Sequence, residues 1–410
     1  MLSPKTIEVV KSTVPVLETH GKAITTRFYQ RLFAQHPELL NIFNHANQKQ
    51  GRQQTALANA VYAAAAHIDN LGAIMPVVEQ IGHKHRSLGI KPEHYPIVGE
   101  NLLAAIKDVL GDAVTDEIIQ AWAEAYGVIA DAFISVEAGM YKEAREQRGG
   151  WEGWRSFTVA QKVKESDVIT SFYLTPEDGG EIADYLPGQY ITVKAEIPGE
   201  KNTHLRQYSL SDSPGKGYYR ISVKREDAAD QRPKGVVSSY LHSQVKEGDV
   251  LEISAPAGDF VLNTAGDLPV VLLAGGVGFT PLMSMLNSLV ERYPGRKVTF
   301  IQAATGSSTH AMKEHVAKLV ENNSQVTSYT CYSAPSAEDL LKRNFDKQGF
   351  VDLPWLKSIL PSNKADFYFC GPIPFMKAVY RALKEWEVPQ EQIHFEFFGP
   401  AGSLEDQTIA

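Results

Sequence analysis

The sequence predicts a multidomain chain in which an all-α domain is followed by an antiparallel β-barrel and then by a doubly wound α/β domain. Three changes of pattern along the 410 residues support this order. Apolar residues recur at helical spacing up to residue 148, alternate with period two up to residue 262, and lie in alternating strands and helices after residue 268. A chain of this length is too long for one hydrophobic core. We therefore place the domains at 1–148, 149–264 and 265–410.

The first region consists of alanine-rich runs with apolar residues four apart, such as "TALANAVYAAAAHI" (55–68) and "IIQAWAEAYGVIADAF" (118–133). Proline stands between these runs, and apart from Gly127 they contain no glycine, which predicts helices throughout the region. The glycine-rich "RGGWEGW" (148–154) then interrupts the pattern and indicates a hinge or linker.

One of these helices carries two histidines, in "VVEQIGHKHRSLG" (77–89), with a glycine placed to end it. His85 follows Ile81 by four residues and precedes Leu88 by three, so it lies on the apolar stripe. His83 points to another face, where we expect an exposed side chain that binds nothing. The pair therefore cannot bind one metal together. His85 alone is either a buried core histidine or a ligand.

The second region contains short runs of alternating apolar and polar residues, separated by Gly, Pro and Asp. They are "FTVAQKV", "ITSFYL", "QYITVKAEI", "YRISVKRE" and "DVLEISAP". This pattern is typical of an antiparallel barrel or sandwich. "RQYSL" (206–210) lies among these strands, and "GVVSSYL" (235–241) can begin a helix.

The third region repeats a strand followed by a helix. "PVVLLA" precedes "GGVGFTP" (275–281) and a helix, "KVTFIQAA" precedes "HAMKEHVAKLVEN", and "ADFYFC" precedes "PFMKAVYRALKEW". Such alternation predicts a parallel sheet with helices on both faces. The glycines let the backbone approach a pyrophosphate at a helix N-terminus, although a tight strand-to-helix corner would also explain them.

The end of "KVTFIQAA" leaves the choice between NADH and NADPH open. An acidic residue at this place would bind the ribose hydroxyl of NADH, and an arginine would bind the 2′-phosphate of NADPH. The sequence has neither and offers Thr305, Ser307 and Ser308 instead.

The composition limits the partners and the compartment. A formal charge of −8 argues against nucleic-acid binding, and no apolar run reaches the length of a membrane span or a secretory signal. Cys331 and Cys370 stand far apart, so we expect no disulfide framework and a reducing cytoplasm. We also expect a monomer.

Residues from about 150 to 402 resemble the ferredoxin-NADP reductase family. The motifs are "GQY" (188–190), "RQYSL", "GVVSSYL", "GGVG", "CGP" (370–372) and "FEFFGP" (395–400), in that family's order. The resemblance implies that FAD is held by Tyr190, Arg206, Gln207, Tyr208, Ser209, Val237, Ser238, Phe397, Phe398, Gly399 and Pro400. It implies that NADH or NADPH is held by Gly275, Gly276, Val277, Gly278, Phe279, Thr280 and Cys370.

Residues 1–145 resemble a globin, and the three regions in this order resemble the flavohaemoglobin family. The resemblance implies haem b with His85 as the proximal iron ligand. It also implies that Tyr95 and Glu137 hold the other imidazole nitrogen. A carboxylate in this position fixes the tautomer and increases electron density at the iron, as in peroxidases.

The same resemblance assigns the opposite side of the haem and the junction with the flavin. Tyr29 is expected to donate a hydrogen bond to bound oxygen, Gln53 and Leu57 to shape the pocket, and Phe43 to wedge the haem. Lys84 and Glu396 match positions at the haem–flavin junction, where an ion pair could tune both redox potentials.

The family implies a nitric oxide dioxygenase that uses NAD(P)H, FAD and haem to convert nitric oxide and oxygen to nitrate, and so detoxifies nitric oxide. Its partners would be these two small gases. One alternative is a haem and FAD hydroperoxide reductase. The other is a haem-based sensor of oxygen or nitric oxide, against which no output domain follows the reductase region.

Overall fold

The structure is a computed structural model that describes residues 2–43, 48, 50–229, 233–399 and 404. It divides into two compact units. The first contains the chain up to Trp154, together with Lys194–Arg206 and Gly399. The second contains Arg155–Val193 and Gln207–Phe398.

The first unit is helical, as predicted. Its helices are α1 (Pro4–Ser12), α2 (Val14–Gln35), α3 (Arg52–Ala66), α4 (Met75–Leu88), α5 (His94–Leu110) and α6 (Asp116–Glu146). Local sequence explains several of their ends. The Ser3 side chain caps α1 by accepting from the Thr6 backbone N–H at 3.0 Å, and Thr115 caps α6 by accepting from Ile118 at 3.3 Å.

The end of α4 places the histidines. Gly89 adopts a left-handed conformation with φ +77°, which a residue with a Cβ rarely accepts. The Ile90 backbone N–H then donates to the His85 carbonyl at 3.0 Å, which closes the last turn. The stop predicted at Gly89 is confirmed, and His85 lies in the final turn of the helix.

The core of this unit lies between α2 and the helices α3, α5 and α6. Phe28 and Leu32 of α2 are almost fully buried with Leu102, Ile106 and Trp122. These apolar contacts hold α2, α3, α5 and α6 at fixed positions, and each of the four carries a candidate site residue.

The second unit begins with an antiparallel sheet. Its strands are β1 (Trp154–Lys164), β2 (Ile169–Pro176), β3 (Tyr190–Ala195), β4 (His204–Ser209), β5 (Tyr219–Lys224) and β6 (Val250–Ser254). Their order is β4-β3-β6-β1-β2-β5. A bridge between Leu210 and Ile221 joins the two ends of this order, as closure of a barrel requires. Helix α7 (Val236–Ser243) follows β5, as the sequence predicts.

A six-stranded sheet completes the second unit, and its described pairs are parallel. Its strands are β7 (Val270–Gly275), β8 (Val298–Ala304), β9 (Val326–Tyr332), β10 (Lys347–Gln348), β11 (Asp366–Cys370) and β12 (Ile393–Glu396), in the order β10-β9-β8-β7-β11-β12. The helices are α8 (Phe279–Arg292), α9 (Lys313–Asn322), α10 (Ala337–Lys342), α11 (Leu353–Ile359) and α12 (Ile373–Glu385).

Alternate residues of β7 enter two different cores. Val270 and Leu272 pack with α8 on one face, whereas Val271 and Leu273 pack with α11 and α12 on the other. The predicted doubly wound arrangement is therefore confirmed, because a central strand buried on both faces needs helices on each.

The connector "RGGWEGW" joins α6 to β1 without regular structure through most of its length. Trp151 within it is only 9% exposed, so the segment is packed rather than fully solvated. Among the described residues, no helix is both long enough and apolar enough to cross a membrane.

Candidate functional site

Three helices of the first unit bring together the residues predicted on the proximal side. His85 comes from α4, Tyr95 from α5 and Glu137 from α6. Glu137 Oε1 lies 2.7 Å from His85 Nδ1 and accepts a hydrogen bond from the Tyr95 hydroxyl at 2.6 Å. The Tyr95 hydroxyl also lies 3.2 Å from His85 Nδ1. One carboxylate oxygen therefore holds both side chains.

The hydrogen bonds of this trio decide where the imidazole proton sits. Glu137 is only 3% exposed, and burial together with the adjacent Glu137 carboxylate raises the pKa of Tyr95 well above its usual value. Tyr95 is thus a neutral donor, and the acceptor at 2.7 Å places a proton on His85 Nδ1. The lone pair is then on Nε2.

His85 Nε2 is available to bind one metal ion. Within the described ranges, no group hydrogen bonds to this nitrogen, and the His85 side chain keeps 31% of its surface exposed. No group of three or more His, Cys, Asp or Glu side chains among the described residues could hold a bare metal ion. A lone imidazole of fixed tautomer fits haem iron, because the porphyrin nitrogens supply the iron's other protein-independent bonds and one histidine nitrogen is enough to hold it.

Neighbouring side chains fix the positions of this trio. The Tyr126 hydroxyl donates to the Tyr95 backbone carbonyl at 2.6 Å, and the Tyr141 hydroxyl donates to the Ile90 carbonyl at 2.6 Å. The Phe133 ring lies 5.9 Å from the His85 ring, measured between centroids. These contacts restrain α4 and α5 against α6 close to the imidazole.

The two residues before His85 differ from each other in their surroundings. His83 is partly buried and its Nδ1 has almost no accessible surface, so the prediction of an exposed side chain was wrong. Helix α6 packs along α4 and covers more of it than an isolated helix pattern can show. Lys84 Nζ donates to the Gly399 carbonyl at 3.3 Å, and its ion pair with Glu396 stays a prediction.

The residues predicted on the distal side surround Tyr29. Its side chain is 6% exposed, and its ring lies 5.7 Å from the Phe43 ring and 5.7 Å from the Phe33 ring, measured between centroids. Leu57 of α3 packs against the same core. Tyr29, Phe43 and Leu57 thus belong to one apolar cluster.

Two amides approach the Tyr29 hydroxyl. Burial raises the pKa of Tyr29 well above its usual value, and the neighbouring Gln48 and Gln53 side chains partly offset this rise. Gln53 was predicted, whereas Gln48 was missed. Gln48 Oε1 accepts from Gln54 Nε2 at 3.0 Å, which fixes the Gln48 amide. No periodicity identifies Gln48, because it precedes the regular part of α3.

The predicted flavin residues lie on β3, β4 and α7 and near the end of β12. Tyr190 and Ser209 are each 8% exposed. The Ser238 hydroxyl accepts from the Glu226 backbone N–H at 3.1 Å, so it already serves to hold the start of α7. Phe398 is 46% exposed, which leaves an aromatic face accessible. Pro400 lies outside the described residues.

The residues predicted at the nicotinamide nucleotide meet at the carboxyl edge of the parallel sheet. Cys370 at the end of β11 is in register with Ala274 of β7, immediately before the glycine turn. A Cβ on Gly278 would lie 2.1 Å from the Cys370 carbonyl oxygen, so only glycine fits. Gly276 has φ +52°. The glycine turn therefore packs directly against the backbone of Cys370. It also leads into the N-terminus of α8, where an anion can bind.

Cys370 is fully buried beside Glu396, its register partner on β12. Burial, reinforced by the Glu396 carboxylate, raises the pKa of the Cys370 thiol well above its usual value. Cys370 is therefore a neutral thiol and not a reactive thiolate.

A polar network that the sequence did not indicate joins the loop after the flavin motif to α8. Asp212 is 4% exposed and accepts hydrogen bonds from Asn287 Nδ2 at 2.8 Å and from the Tyr218 hydroxyl at 2.9 Å. His315 Nε2 lies 2.8 Å from Asn287 Oδ1. Because α8 begins at the glycine turn, this network links the loop after β4 to the helix that starts at that turn.

Comparison with family models divides the chain into three matches. Residues 26–133 match the globin model, residues 155–262 match the oxidoreductase FAD-binding domain, and residues 272–381 match the oxidoreductase NAD-binding domain.

Similar proteins match along the whole chain. A flavohaemoprotein of Bacillus cereus is 66% identical, over 99% of this chain and 100% of its own length. One from Bacillus subtilis is 54% identical, over 98% of this chain and 99% of its own length.

Two solved structures are informative. Flavohaemoglobin from Malassezia yamatoensis, with bound FAD and haem, has a TM-score of 0.84 at 25% identity and covers 97% of this chain and 100% of its own. The FAD/NAD-binding domain of a nitric oxide dioxygenase from Vibrio cholerae has a TM-score of 0.55 at 40% identity, and covers 60% of this chain and 99% of its own.

Proposed function

This chain belongs to the flavohaemoprotein family, and from that premise we propose that it is a nitric oxide dioxygenase that detoxifies nitric oxide in the cytoplasm. As a member of this family it is an oxidoreductase with haem, FAD and a nicotinamide nucleotide as cofactors. Nitric oxide and oxygen would be its substrates. The boundaries at residues 148 and 264 are proposed as those of its three domains.

The observation that carries the proposal is the hydrogen-bonded trio of His85, Tyr95 and Glu137. A proximal histidine bonded to a buried carboxylate is more electron-donating than one bonded to a neutral carbonyl. Such a ligand suits chemistry on oxygen rather than reversible oxygen storage. The named activity of the 40% identical Vibrio cholerae reductase domain supports the same choice of reaction.

When bound, FAD accepts a hydride from the nucleotide and releases single electrons, and haem is the centre at which oxygen and nitric oxide react. His85 would hold the haem iron through Nε2. Glu137 would keep the proton on Nδ1 and so keep Nε2 available as a ligand. Tyr95, held neutral by burial and by Glu137, would orient that carboxylate.

On the distal side the chain supplies an apolar pocket with one phenol. Phe43 and Leu57 would exclude water and admit small neutral gases. Tyr29 would donate a hydrogen bond to a ligand that carries partial negative charge. Gln48 and Gln53 would hold the Tyr29 hydroxyl in place before the ligand arrives.

The test is the fate of nitric oxide added to the aerobic holoenzyme with NADH. Two electrons from one nucleotide allow two molecules each of nitric oxide and oxygen to form two nitrate ions. We expect nitrate to account for the nitric oxide consumed. Slow consumption, or nitrous oxide as the main aerobic product, would contradict the proposal. Faster turnover with an alkyl hydroperoxide than with nitric oxide would instead identify a hydroperoxide reductase.

Glu137→Gln is expected to slow turnover about tenfold while haem stays bound. Glutamine keeps the size and one acceptor oxygen of the side chain but removes the charge that favours electron donation by His85. The measurements are the absorption spectrum, the rate of haem reduction and the rate of nitric oxide consumption.

The matched control is Glu143→Gln, which removes an exposed carboxylate from the same helix. This variant should behave as the wild type does. If Glu137→Gln shows unchanged reduction and turnover, the Glu137 carboxylate has only a packing role.

A further inference from the structure

We infer that Asp339 makes this enzyme discriminate against NADPH, because its buried carboxylate lies beneath the loop that faces the adenosine ribose. This inference rests only on nucleotide-dependent reduction of FAD within the proposed function. The residues at the end of β8 do not by themselves decide between NADH and NADPH, and Asp339 is the residue to which we assign that choice.

The loop after β8 is at the position where dinucleotide-binding sheets meet the ribose. Ala303 of β8 is in register with Gly275 of β7, so the loop and the glycine turn share the carboxyl edge of the sheet. In such folds the end of this strand holds the group that reads the ribose 2′ position. Here Thr305, Ser307 and Ser308 are exposed at that edge.

Asp339 supports this loop from α10. Its Oδ2 accepts from the backbone N–H of Ser307 at 3.2 Å and from that of Ser336 at 3.0 Å. Its Oδ1 accepts from Asn344 Nδ2 at 3.1 Å. Asp339 is 1% exposed, and a Cβ on Gly306 would lie 3.2 Å from its Oδ2. The carboxylate is therefore directly against the loop.

The charge of this carboxylate is fixed and not neutralised by an ion pair. Hydrogen bonds, chiefly from the Ser307 side chain, hold the pKa of Asp339 well below its usual value. Within the part of the chain that the structure describes, Asp339 forms no ion pair, and the nearby Lys342 pairs with Glu338 at 2.5 Å. The Asp339 carboxylate therefore keeps a full negative charge directly against the backbone of Ser307.

The consequence differs for the two nucleotides. A ribose hydroxyl is neutral and can bond to the exposed Ser307 and Ser308 hydroxyls. A 2′-phosphate carries negative charge, and the Ser307 backbone N–H that could bind it already donates to Asp339. The phosphate would therefore meet a like charge and lose a donor.

The test is the rate of FAD reduction by NADH and by NADPH without oxygen or nitric oxide, so its outcome is independent of nitric oxide turnover. The wild type should favour NADH. Asp339→Asn should raise kcat/KM for NADPH about tenfold with little change for NADH, and should tighten inhibition by 2′-AMP but not by 5′-AMP. The NADH rate reports whether the variant is folded.

The matched control is Glu338→Gln, which removes an exposed carboxylate from the neighbouring position of α10. It should leave the NADH to NADPH ratio unchanged. Ser308→Arg provides a second variant that keeps Asp339 and its hydrogen bonds, and its added cation should also raise the NADPH rate. A wild type that prefers NADPH would overturn the inference. So would an active Asp339→Asn variant with an unchanged NADH to NADPH ratio, whether or not Ser308→Arg shifts that ratio.

Discussion

Replacing His85 by alanine is expected to give a protein that retains FAD but carries little haem. The imidazole Nε2 is the group suited to bind the iron axially, and alanine leaves no donor in its place. Removing a residue that hydrogen-bonds to a metal ligand typically lowers affinity about 10–100-fold, and removing the ligand itself should lower it more. We therefore expect haem affinity to fall by at least about 100-fold. Reduction of a dye by NADH through FAD should continue, since the flavin and nucleotide motifs lie outside α1–α6.

The matched control is His83→Ala, which removes the same side chain two residues earlier on α4. It should keep haem and a normal histidine-ligated spectrum. The measurements are the haem Soret absorbance per FAD and the spectrum before and after NADH. Retention of that spectrum by His85→Ala, or its loss in His83→Ala, would show that another histidine holds the iron.

The sequence predicts much of the fold because, in most helices and strands, the spacing of apolar residues shows which face is buried. The five alternating runs correspond to β1, β2, β3, β5 and β6. Strand β9 (Val326–Tyr332) lacks such a pattern, with Thr and Ser in its centre. Its place is set by pairing with β8 rather than by its own residues. Tertiary contacts of this kind cannot be read from a short window.

The site was predictable where a family motif exists and otherwise only in part. His85 and Glu137 are 52 residues apart, and nothing local indicates that their side chains meet at 2.7 Å. Gln48 and Asp339 were missed for a similar reason. Gln48 precedes the regular part of α3, and Asp339 reaches the loop after β8 from helix α10. Such residues are found only when the chain is folded.

Tyr29→Phe is expected to lower oxygen affinity on the order of 10–100-fold, because a hydrogen bond to a partly charged ligand contributes about 1.5–3 kcal/mol. Burial raises the pKa of Tyr29, so the side chain is a neutral phenol that can donate at physiological pH. Phenylalanine keeps the ring that packs against Phe33 and Phe43 and removes only the hydroxyl. The loss should therefore appear mainly as faster release of oxygen.

Carbon monoxide separates this role of Tyr29 from simple packing. Its distal atom carries less negative charge than that of oxygen, so its dissociation rate should change far less in Tyr29→Phe. If the ring is merely packed, phenylalanine is nearly isosteric and both gases should be released as before. Tyr62→Phe makes the same chemical change at a partly exposed position of α3 and should alter neither rate. Equal small effects of Tyr29→Phe on the dissociation rates of both gases would rule out a hydrogen bond from the Tyr29 hydroxyl to the ligand. A change confined to oxygen requires that hydrogen bond, because only oxygen carries enough negative charge to accept it strongly.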